Sequence, residues 1–103
     1  MATPEVGIGT KIKPDITVKE PPNYKVIYLN DDKTSMEFVV DSLIEHFSYP
    51  QQQAVEKTNE VHVHGASTVA VLPYEIAEQK GIEVTLDARA EGFPLQVKIE
   101  PAE

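Results

Sequence analysis

Asn30, Asp31 and Asp32 form a run of short, acceptor-rich side chains, followed at once by Lys33-Thr34-Ser35-Met36-Glu37-Phe38. The run closes an alternating apolar segment, Tyr24-Lys25-Val26-Ile27-Tyr28-Leu29, that predicts a strand, and it leads into an amphipathic helix pattern. Loops held between rigid elements commonly carry binding groups. These residues offer no nucleophile and no phosphate cradle; what they can do is hold a cation. Asn and Asp also favour turns for purely local reasons, and Thr34 with Glu37 fits a capping box, Thr34 as N-cap and Glu37 as its partner. A helix-starting turn and a cation site are both open readings of these residues.

Further along lie His62 and His64, after Glu60. Two imidazoles at that spacing without a firm third donor fall short of a tetrahedral metal set, so no metal and no cofactor is expected. Asp31, Asp32 and His62 could in principle exchange protons, but no nucleophile or cofactor loop accompanies them, and an enzyme is not expected.

The chain has 103 residues, the size of one domain with a modest core. Its formal charge of −8 argues against nucleic acid and against an anionic membrane surface. It has no cysteine, which excludes disulfides and thiolate chemistry. No basic-then-apolar leader and no span-length apolar run is evident, so a cytoplasmic protein is expected.

Residues 1–22 are rich in Pro and Gly, lack aromatics and end in Pro21-Pro22, which predicts a flexible extension ahead of a folded domain over residues 23–103. The domain begins with a strand over residues 24–29. Met36, Val39, Val40, Leu43, Ile44 and Phe47 then recur at helical spacing and give a first helix with one wide apolar stripe. Ser48-Tyr49-Pro50-Gln51 fits a second capping box, with Pro50 in the first turn of a helix that ends near Gly65. Thr68-Val69-Ala70-Val71-Leu72 predicts a second strand, Pro73 opens a third helix that stops before Gly92 and Pro94, and Leu95-Gln96-Val97-Lys98-Ile99 alternates as a third strand. The order β-α-α-β-α-β predicts an α+β fold with three helices packed on a three-stranded antiparallel sheet.

With these elements placed, four segments taken in order resemble the ClpS-type adaptors: Tyr24-Lys25-Val26-Ile27 leading into Asn30-Asp31-Asp32; Met36-Glu37-Phe38-Val39-Val40; Val61-His62 with Gly65; and Glu75-Ile76-Ala77-Glu78 with Lys80. Gly92-Phe93-Pro94-Leu95 and Ile99-Glu100 extend the likeness to most of the domain. That family delivers N-degron substrates, proteins marked by their first residue, to a bacterial Hsp100 unfoldase and its protease. The resemblance implies a non-enzymatic adaptor whose partners are N-degron proteins and the N-terminal domain of a ClpA/ClpC-type unfoldase; a monomer is the default expectation.

It also implies roles for residues. Asn30, Asp31 and His62 would accept hydrogen bonds from an α-ammonium, which needs acceptors and negative potential, while Asp32 would support the turn or the potential. Thr34, Met36, Val39, Thr58, Val61 and Leu95 would line the adjoining side-chain cavity, with Met36 as the gatekeeper against β-branched residues. Leu, Phe, Tyr and Trp would be the preferred first residues. Glu75 and Lys80 would dock the unfoldase. Thr58-Asn59 departs from the family's usual Met-Leu: Thr58 would enlarge or wet the cavity, and Asn59 would remove core from an apolar-poor helix. Ser35 stands where the family usually has Pro. The alternative implied by these departures is an interaction module that modulates the unfoldase with altered or no N-degron reading.

Overall fold

The computed structural model describes residues 22–102, so the extension expected over residues 1–22 lies outside the described residues apart from Pro22. Along the chain run β1 (Asn23–Leu29), α1 (Met36–Phe47), α2 (Gln51–His64), β2 (Ala66–Pro73), α3 (Tyr74–Ala90) and β3 (Gln96–Pro101). This is the expected α+β order. β1 is the central strand of an antiparallel sheet ordered β2-β1-β3, with a register irregularity between Val26 and Ile27 on the β2 side.

Alternation decides which sheet face is covered. Val26 and Tyr28 of β1 are fully buried, and their partners across β3 are Ile99 and Val97. α3 rests on this same face through a strip of small residues, Ala77, Gly81, Val84 and Ala88, spaced as one helix face. An added Cβ at Gly81 would stand 3.4 Å from Ile99 Cδ1, so the helix backbone approaches β3 to within a methyl group. α1 meets the face with Val39 and Leu43, and Phe47 packs edge-on against Tyr28. The predicted α1 stripe is wider than the buried one, because Met36 and Ile44 at its borders are exposed.

The buried Tyr28 hydroxyl lies 2.8 Å from Ser42 Oγ, which itself donates to the Val39 carbonyl at 2.8 Å. Since Ser42 spends its proton on Val39, Tyr28 is the donor of the pair, and the chain of bonds fixes α1 over β1. Burial pushes the Tyr28 phenol far above its ordinary value, leaving it a neutral donor at any physiological pH.

Two capping predictions are corrected. The N-cap of α1 is Ser35, whose Oγ accepts from Phe38 N at 3.0 Å; Thr34 is not the cap. Ser48 does not cap α2 but closes α1 in the left-handed region at φ 60°, and Pro50 stands at the N-cap of α2 without a side-chain bond. Three residues join α1 to α2, so one of them must reverse the chain, and Ser48 does so. Asn59 is exposed and takes nothing from the core; the buried face of α2 is Ala54, Thr58 and Val61.

Candidate functional site

A small cavity lies where the end of β1, the start of α1, the last turns of α2 and the loop before β3 converge. The three residues expected at the amine, Asn30, Asp31 and His62, all line it. So do the six expected at the side chain, Thr34, Met36, Val39, Thr58, Val61 and Leu95. Leu29, the last residue of β1, is the wall residue that the sequence reading missed; its place in a half-buried strand is the signal that could have found it.

The polar end is held by turn chemistry. Asp31 Oδ1 accepts from the backbone N–H of Lys33 at 2.8 Å and of Thr34 at 2.7 Å, and Oδ2 accepts from the Thr34 hydroxyl at 2.8 Å. The turn is therefore built by Asp31, and Asp32, assigned that support from sequence, is exposed beside it. A carboxylate has about four lone-pair sites, so three bonds leave one on Oδ2 for an external donor. Partial burial raises the Asp31 carboxyl, but the Thr34 and Lys33 N–H groups, the Thr34 hydroxyl and the Arg89 charge together hold it below its ordinary value. Asp31 is a fixed anion at neutral pH.

Asn30 N donates to the Gly65 carbonyl at 2.9 Å, and Gly65, in the left-handed region at φ 85°, closes α2 by bonding back to Val61. The same turn of α2 carries His62. The end of β1 and the end of α2 are thus stitched together, which brings Asn30 and His62 to one mouth.

Apolar walls continue inward from there. Val39, Val61 and Leu95 are buried, while Met36, first residue of α1, remains 47% exposed at the rim. Leu95 is set in place by Arg89, whose Nη1 donates to the carbonyls of Phe93 at 2.9 Å and Leu95 at 2.8 Å. Arg89 thus shapes the floor and adds positive potential near Asp31. Sequence reasoning missed it; a basic residue in the last turn of a helix, where free carbonyls collect, is the available signal.

Thr58 is 4% exposed, and its Oγ1 is the one fully buried side-chain polar atom without a partner among the described residues. A buried hydroxyl left unpaired costs about 1–3 kcal/mol.

Glu75 and Lys80 lie on α3 and do not line the cavity. Five residues apart, they point roughly 140° away from each other around the helix. Among the described residues, the one group of three acidic and histidine side chains close enough to share an ion is Glu45, His46 and Asp87, which includes neither His62 nor His64. There His46 Nε2 already pairs with Asp87 at 2.7 Å and Nδ1 faces Glu83 at 3.5 Å, which ties α1 to α3. Among the described residues, no helix is long and apolar enough to cross a membrane.

The site is an apolar slot with a carboxylate, an amide and an imidazole at its mouth. The family model described as ATP-dependent Clp protease adaptor protein ClpS matches residues 19–98. A ClpS adapter of Wolinella succinogenes is 40% identical over 91 residues, 88% of this chain and 89% of the relative. One from Treponema denticola is 44% identical over 81 residues, 79% and 80% of the two chains. The solved structure of Agrobacterium tumefaciens ClpS2 bound to L-phenylalaninamide superposes with a TM-score of 0.77 at 36% identity, covering 80% of this chain and 99% of that one. The chain belongs to the ClpS family of ATP-dependent Clp protease adaptor proteins.

Proposed function

We propose that this adaptor, through its domain over residues 23–103, captures the free α-amino group and bulky hydrophobic side chain of a substrate's N-terminal residue. It then delivers that substrate to an Hsp100 unfoldase-protease. The observation that carries the reading is the adjacency of two environments: the unfilled acceptor site of Asp31, with Asn30 and His62, opens directly onto the cavity floored by Leu95. An ammonium brings three donors and a charge, and desolvating it without acceptors would be prohibitive, so charge-assisted bonds at the rim decide which ligands enter. Burying a Leu or Phe side chain adds about 1.5–3 kcal/mol. L-phenylalaninamide, the ligand of the A. tumefaciens relative, carries both of these parts. Glu75 and Lys80 would face the N-terminal domain of a ClpA/ClpC-type unfoldase.

Fluorescence anisotropy with a Phe-initial peptide, free and N-acetylated, tests the reading. Micromolar binding, on the order of 8 kcal/mol, is expected for the free peptide and none for the acetylated one. Equal binding of the two would sink it and favour a module that modulates the unfoldase without reading N-termini.

Met36 gives a second expectation. Its exposed position at the rim lets its thioether chain crowd the first side-chain carbons of a ligand. Met36→Ala should admit Val- and Ile-initial peptides that the wild type rejects; unchanged rejection of both in the same assay would remove its gatekeeping role.

A further inference from the structure

The hydroxyl of Thr58, a residue of the slot's lining, has no hydrogen-bond partner among the described residues. Hydroxyls within helices usually donate to a carbonyl one turn back. Thr85 does so with Gly81 O at 2.8 Å, and Ser42 with Val39 O at 2.8 Å. Thr58, also in a helix and more than nine-tenths buried, makes no such bond and lines the cavity instead. It precedes His62 by four residues, so the two share a face of α2, about 6 Å apart along the helix axis. A ligand whose amine is held beside His62 and whose side chain runs along this face brings its tip to Thr58.

We propose that Thr58 is a specificity-determining residue that reads the distal end of the captured side chain, giving this pocket a preference for N-terminal tyrosine over phenylalanine. The inference rests on the N-terminal-residue reading above. Tyrosine and phenylalanine share a ring and differ by one hydroxyl, which can donate to or accept from Thr58 Oγ1. Phenylalanine and leucine side chains offer the Thr58 hydroxyl no hydrogen-bond partner. A site with a buried polar group discriminates against the analogue that lacks the matching group far better than an apolar wall could. The family's usual Met at this position would supply no such partner.

Anisotropy titrations of the full chain with Tyr-, Phe- and 4-methylphenylalanine-initial peptides, each free and N-acetylated, test this. Tyrosine should bind about fivefold tighter than phenylalanine, and 4-methylphenylalanine, as long as tyrosine but without the hydrogen bond, should gain nothing over phenylalanine. Thr58→Val, of the same shape, should collapse the tyrosine-to-phenylalanine ratio to about one, and Thr58→Ser should restore it. Amine-dependent binding with no tyrosine preference overturns the Thr58 role alone. So does a preference that 4-methylphenylalanine shares, or one that survives in Thr58→Val. Loss of amine dependence in every peptide overturns the site reading and the Thr58 role together. The methylated peptide needs no variant, so the outcome stands even where Thr58→Val fails to fold.

Discussion

Asp31→Ala is expected to bind a Phe-initial peptide about 100-fold more weakly than the wild type and to unfold about 1–2 kcal/mol more easily. Two losses combine. Three donors, the N–H groups of Lys33 and Thr34 and the Thr34 hydroxyl, lose their acceptor, and the turn that starts α1 loosens. Water can reach part of this turn, which keeps the stability loss near that of a missing helix cap. Binding suffers more, since the ammonium loses its anion at a site shaped to desolvate it. Asp31→Asn separates the two effects: its amide oxygen can still accept from the backbone, so stability should nearly persist while binding falls about tenfold. Unchanged binding in Asp31→Asn would show that the charge at this position is not used.

Acid tests the same carboxylate through stability. A carboxyl held below its ordinary value contributes stability that is present above its unfolded value near 3.8 and is lost as pH falls through the lower folded value. The wild type should therefore lose stability more steeply than Asp31→Asn below about pH 4, and the two should run parallel near neutrality. Urea denaturation at a series of pH values reads this directly.

Leu43→Ala is expected to have the largest effect on stability, a loss of about 3 kcal/mol and a fall in Tm of about 15 °C. Leu43 is fully buried on the face of α1 that meets the sheet, among residues too fixed in place to fill the void. A domain of this size is stable by only some 4–12 kcal/mol, so the variant sits close to unfolding. Leu43 does not line the cavity, so the folded fraction should bind peptide with unaltered affinity. A lowered urea midpoint with an unchanged slope is the expected signature; a loss below about 1 kcal/mol would mean that α1 does not pack through this face.

Much of this architecture is legible in the sequence because it rests on periodicity. The alternation in Tyr24-Lys25-Val26-Ile27-Tyr28-Leu29 and the helical spacing from Met36 to Phe47 each report a buried face, and the faces settle the order of elements. The turn after β1, the start of α1 and the end of α2 carry local chemical signatures, whereas the set of residues lining the cavity was implied by the family resemblance and not by periodicity. Helix starts were less legible. Thr34-x-x-Glu37 and Ser35-x-x-Phe38 both place a hydroxyl at a possible N-cap, and the choice fell to Asp31, which takes the hydroxyl and N–H of Thr34 and leaves the cap to Ser35. Partners far apart in sequence were not legible at all: Tyr28 with Ser42, Arg89 shaping the floor under Leu95, and the isolation of the Thr58 hydroxyl all depend on how finished elements pack.

The bond from Asn30 N to the Gly65 carbonyl joins segments that are 35 residues apart and belong to different elements. One acceptor group thus arrives with the sheet and the other with a helix end, and neither element alone holds half a receptor worth having. Recognition is in that sense an assembled property, absent from every fragment and from any partly opened form in which this junction has come apart. Under the proposed function, opening this one junction would be enough to abolish binding.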